Sequence, residues 1–136
     1  MLRYFIRLFL LLYSLVFISC GNKGNGSDPD FKFVKGYVIE REICDVDEIS
    51  DYWVIDFSYG NNPPPIGDTI TIQGLLYLNA LKVKGLDARL KYKGMGVGID
   101  YRTISPSKII QQDCNNPIAN IYPLKELVIL YQSELR

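Results

Sequence analysis

Histidine is missing from this sequence, and that gap removes most hydrolytic chemistry. No Ser-His-Asp triad, Cys-His dyad, HExxH metal site or imidazole base can be built without it. A surplus of charge is missing too: 15 basic residues balance 15 acidic ones, so the chain lacks the basic footprint of a nucleic-acid binder. No GxxxxGK(S/T) or GxGxxG loop opens a helix, and the glycine-rich stretch from Gly94 to Gly98 leads into a strand pattern, where no helix dipole faces a phosphate. Cysteine is scarce, and two thiols without histidine do not make a zinc site. What remains is 136 residues, 48% of them hydrophobic, with a mean hydropathy of +0.04. That is too apolar for disorder and short enough for one domain.

The N-terminus is an address. Arg3 and Arg7 precede an apolar run over 8–18, then Ser19 and Cys20. The run falls short of the roughly 20 residues a spanning helix needs, so a secretory signal peptide over 1–19 is the stronger reading and a permanent transmembrane helix the weaker. Phe17-Ile18-Ser19-Cys20-Gly21 resembles the lipobox of bacterial lipoproteins, with phenylalanine where an aliphatic residue is usual. The resemblance implies that Cys20 is lipidated and becomes the new N-terminus, anchored to the membrane without crossing it. Ordinary secretion with cleavage near Ser19 is the alternative. Gly21, rather than aspartate, resembles lipoproteins forwarded to the outer membrane. Losing Arg3 and Arg7 leaves 13 basic groups against 15 acidic ones. Residues 20–30, rich in Gly, Asn, Ser and Pro, read as a flexible tether.

Outside the cytoplasm the two other cysteines, Cys44 and Cys114, point to a disulfide, with two separate buried thiols as the alternative. Their separation of 70 residues makes such a crosslink worth about 4 kcal/mol on the chain-entropy account.

The folded part runs over 31–136 as a single β-barrel domain. Phe31, Phe33, Tyr37 and Ile39 alternate with smaller or polar residues and predict a first strand with one strongly apolar face. Trp53, Ile55 and Phe57 mark a second strand, with Trp53 in the core. Gly60 and three prolines between Tyr59 and Asp68 force a surface loop. The β-branched stretch 69–73 and the segment 75–83 read as a hairpin about Gly74. Met95, Val97, Ile99 and Tyr101 alternate with Gly96, Gly98 and Asp100, a strand whose glycines suggest strong bending or the close approach of another backbone. Residues 127–131 fit a buried strand or a short helix after Pro123, and the β character of the rest favours the strand.

Five to seven short strands predict an all-β fold, a small antiparallel barrel or sandwich. The order resembles an OB-like barrel. Together with Cys20, the Gly67-Asp68-Thr69 turn, the glycine stretches around Leu86 and Met95, and Cys114, it is similar to small lipoproteins of Bacteroides-type bacteria with an OB-like β domain. That resemblance implies an architecture and an address, and no catalytic residue or cofactor.

The expected role is therefore non-enzymatic: a lipid-anchored module of the cell envelope that binds a protein or glycan partner and no nucleic acid. Its candidate contact loop comprises Tyr59, Asn61, Asn62, Pro64 and Ile66, with Tyr59 the exposed ring. The alternative is a structural accessory or inhibitor subunit of an envelope protein complex, in which a strand edge makes the contact. Asp45, Asp47, Glu48 and Asp51 form a weak calcium candidate and a still weaker carboxylate-only hydrolase site, against the plainer reading of a solvated loop. Lys82, Lys84, Arg89, Lys91 and Lys93 read as a charged edge.

Overall fold

The computed structural model describes residues 31–44, 51–111, 114 and 120–135. The expected signal peptide, lipobox and tether lie outside the described residues. Among those described, six strands form one antiparallel sheet: β1 (Lys32–Arg41), β2 (Trp53–Asp56), β3 (Asp68–Ile72), β4 (Leu75–Val83), β5 (Gly96–Ile104) and β6 (Leu127–Glu134). A 3-10 turn, Ala88–Leu90, separates β4 from β5. The spatial order is β3-β4-β2-β1-β5-β6. The sheet curls until the start of β6 reaches β4, where Lys82 and Glu126 make one parallel bridge and the Lys82 N–H donates to the Lys125 carbonyl at 3.0 Å. Five strands, β4-β2-β1-β5-β6, thereby surround a core as an OB-like, partly open barrel. Strand β3 lies outside that ring as an added arm.

The hairpin forms where expected. Ile72 pairs with Leu75 across a two-residue turn in which Gln73 and Gly74 both have positive φ, the geometry that matches strand twist. Residues 127–131 lie within a strand, as expected, and not in a helix. That strand is an edge strand rather than a buried one: Leu127 is buried, while Val128, Leu130 and Tyr131 are exposed.

The first strand corrects the expectation about its faces. Val34 and Val38 point into the barrel, and Phe33 and Tyr37 point out. Gly36 explains why. A Cβ there would lie 2.6 Å from the Asp56 carbonyl oxygen and 2.8 Å from the Ile55 side chain, so the middle of the inner face of β1 has no room for a side chain. Packed against it are Trp53, Ile55, Phe57, Leu81, Val97, Ile99 and Tyr101, with Leu86 and Leu90 closing one end. A bulge lies between Val38 and Glu40, and Ile39, in step with Phe33 and Tyr37, faces the outside. There it joins Val54, Ile72, Ala80 and Leu124 in a second, smaller core.

Cys44 and Cys114 form a disulfide with a Cα–Cα distance of 4.9 Å. It joins the β1–β2 connection to the β5–β6 connection.

Candidate functional site

Strand register places three outward rows across β1, β5 and β6. Phe33 is level with Asp100 and Tyr131, and Lys35 with Gly98 and Ser133. Tyr37 is level with Gly96, whose carbonyl accepts the Leu135 N–H at 3.0 Å. The glycines do admit a close neighbour, but it is a side chain where another backbone was expected. A Cβ on Gly98 would meet the Phe33 ring at 2.9 Å and the Ser133 hydroxyl at 3.0 Å. Phe33 therefore lies across the strand and buries Gly98, while Leu135 and the Tyr37 ring lie beside Gly96.

The proline loop joins one end of this surface. Tyr59 packs on Tyr37 with ring centroids 5.3 Å apart, and the Lys35 ammonium sits 5.8 Å from the Tyr59 ring centre. Tyr59 is thus half-buried against its neighbour rather than the freely exposed ring expected. Asn61, Asn62 and Pro64 are exposed along the rim. Ile66 corrects the contact-loop reading: it packs against the barrel core and serves as the loop's anchor.

Asn79, which carries no motif, holds this loop in place. Its amide donates to the Phe57 carbonyl at 3.0 Å and the Pro64 carbonyl at 2.8 Å, and its oxygen accepts the N–H groups of Ile66 at 3.0 Å and Gly67 at 2.5 Å. Every hydrogen-bonding capacity of the side chain is used. Asparagine in the middle of an apolar run was the only trace of this in the sequence.

OB-folds often bind ligands on the face of their second and third strands, which correspond in order to β2 and β4. Here that face is covered by the chain itself: Val54, Ala80 and Lys82 lie beneath Leu124 and Tyr122. Lys82 is not part of a charged edge. It is fully buried, bonded to both oxygens of the equally buried Glu42 at 3.1 and 3.3 Å and to the Tyr122 carbonyl at 3.2 Å. Its ammonium lies 4.7 Å from the Tyr52 ring centre. Glu42 also accepts the Tyr122 N–H at 2.7 Å. Desolvation nonetheless pushes the Glu42 carboxyl above the usual glutamate range, against the opposing pull of the Tyr122 N–H and Lys82. Burial likewise raises the hydroxyls of Tyr52, Tyr101 and Tyr122.

Of the acidic run, Asp45, Asp47 and Glu48 lie outside the described residues. Asp51 is not a solvated loop residue: it is buried, pairs with Arg41 at 2.6 Å and accepts the Cys44 N–H at 3.3 Å. Its oxygens are committed to holding the base of the loop. Among the described residues no group of three or more His, Cys, Asp or Glu is placed to hold a metal ion. Neither a protein-family profile, nor a curated protein, nor a solved structure matches this chain.

Proposed function

We propose that the chain is a non-enzymatic binding module of the cell envelope, exported by residues 1–19, held to the outer membrane through an acyl group on Cys20, and presenting the outer face of β1, β5 and β6 to a glycan. One observation supports this above the rest: Phe33, Tyr37, Tyr59 and Tyr131 lie on one outer face, with Lys35, Asp100 and Ser133 set among them. Flat rings on one face suit the apolar faces of a sugar, and the interleaved polar groups suit its hydroxyls.

A glycan array probed with the purified chain is the direct test. Tyr37→Ala and Tyr59→Ala should each weaken the signal about tenfold, since an aromatic contact of this kind is worth roughly 0.5–1.5 kcal/mol beyond the area it buries. A signal indifferent to both changes would sink the reading. The accessory-subunit alternative draws on a different observation, the exposed Val128, Leu130 and Tyr131 along the β6 edge. A stoichiometric membrane protein co-purifying in detergent, and lost on Leu130→Lys, would favour it.

A further inference from the structure

The outer faces of β2 and β4 are closed by one stretch of chain, Tyr122 to Glu126. Leu124 is buried with Ile39, Val54, Ile72 and Ala80, and Tyr122 packs against the same group. Backbone bonds fix the stretch on both borders. The Lys82 N–H donates to Lys125 on one side, and on the other the Ile109 N–H donates to the Leu124 carbonyl at 2.9 Å. Ser105 donates its N–H to the Glu126 carbonyl at 2.8 Å and accepts the Glu126 N–H on its hydroxyl at 2.6 Å. Among the described residues, however, the barrel core is made without any of 122–126. The cover can therefore lift while the barrel keeps its packing. Lifting it opens the small outer core but returns water to Glu42 and Lys82, whose joint burial carries a desolvation cost. Such a segment opens as a unit of its own.

Two ties hold it down, and both join the same two parts of the chain. One is polar: Glu42 accepts the Tyr122 N–H, and Lys82 donates to the Tyr122 carbonyl. The other is covalent. Cys44, two residues beyond Glu42, is bonded to Cys114, which lies between Ile109 and Tyr122 in the sequence. The Cys44 side is fixed to the barrel, because Asp51 accepts the Cys44 N–H and pairs with Arg41 of β1. Cutting the bond thus frees the side that carries the cover. A second tie raises the effective concentration of the first, by on the order of a hundredfold or more. Neither cysteine is buried, so a small reductant has access to the bond.

We propose that the Cys44–Cys114 bond is a redox latch: intact, it keeps Tyr122–Glu126 shut over the outer faces of β2 and β4, and a dithiol reductant releases the cover and wets the Glu42–Lys82 pair beneath. One thiolate of the reductant attacks a sulfur of the bond to give a mixed disulfide, and its second thiol then displaces the protein. Cys44 and Cys114 leave as thiols, having gained two electrons and two protons, and the reductant leaves as a disulfide. The latch is independent of the aromatic face and of the anchor.

Amide exchange on the full chain, followed residue by residue by NMR before and after dithiothreitol, tests it, with alkylation and peptide mass reporting whether Cys44 and Cys114 are reduced. The reporters of the cover are the N–H groups of Tyr122, Ile109 and Lys82. A barrel reporter is the Val38 N–H, which donates to the Met95 carbonyl at 2.9 Å. Reduction should widen the gap in protection between cover and barrel by about a hundredfold. Cys44→Ser with Cys114→Ser should show the wide gap without reductant. If cover and barrel lose protection by the same factor, the bond is a staple of the whole fold and the latch is overturned. A gap already wide in the oxidised chain and unmoved by reduction overturns it as well, as does a bond that dithiothreitol leaves closed in the folded protein.

Discussion

Replacing Lys82 by methionine tests the buried ion pair most severely. Methionine keeps most of the stem that crosses the Tyr52 ring but removes the ammonium and its bonds to Glu42 and the Tyr122 carbonyl. Glu42 is left fully buried, its charge answered by the Tyr122 N–H but by no ammonium. Breaking a buried pair in this way costs about 3–5 kcal/mol. Each kcal/mol lowers Tm by about 4–8 °C in a domain of this size, so a fall of at least about 12 °C is expected. The loss should depend on pH. Because folding already raises the Glu42 carboxyl above its ordinary value near 4.5, the native state keeps its proton to a higher pH than the unfolded state does. Stability from this group is therefore fullest below the ordinary value and declines as pH rises through the raised one. Without Lys82 the carboxyl moves higher still, so the variant's deficit should be largest at neutral pH and shrink toward pH 5. Urea midpoints at both pH values, with unchanged m, measure it. Adding Glu42→Gln should restore most of the loss, because the amide still accepts the Tyr122 N–H without charge. A single-variant loss below about 1 kcal/mol, or a deficit that ignores pH, would refute the account.

Three further outcomes follow from the same packing. Reducing the Cys44–Cys114 bond, which closes a 70-residue loop, should lower stability by about 4 kcal/mol, read from urea midpoints with and without reductant; equal midpoints would contradict it. Asn79→Ala removes one partner each from the Phe57 and Pro64 carbonyls and from the Ile66 and Gly67 N–H groups, while the Ile66 N–H keeps the Pro64 carbonyl at 2.9 Å; it should cost roughly 2–3 kcal/mol, with faster amide exchange at Gly67 as the local sign that the proline loop has come away. Gly36→Ala should destabilise by about 1–3 kcal/mol because its Cβ meets backbone, whereas Phe33→Ser, on the exposed face, should change stability by less than about 1 kcal/mol. The reverse order would restore the aromatic residues of β1 to the interior.

Local pattern carried a good deal of this protein. Alternation at Val97, Ile99 and Tyr101, the β-branched run before Gly74, and the prolines between Tyr59 and Asp68 each act over a few residues. Pleat geometry and fixed φ leave such stretches little choice, so β5, the hairpin and the loop were legible one by one. Cysteine parity pointed to the Cys44–Cys114 bond for a similar reason: it needs no knowledge of what lies between. Side choice and partner choice were different. Periodicity shows that β1 has two faces, but only the space beside Ile55 and Phe57 decides that Gly36 goes in and Phe33 goes out. A lysine within a basic stretch looks solvated until strand pairing and the crossing of residues 120–126 bury Lys82 against Glu42, 40 positions away. Asn79 is similarly silent until Pro64 and Gly67 fold back onto it. Short-range sterics wrote the strands and turns, whereas burial, which depends on contacts between distant residues, decided which side chains face water.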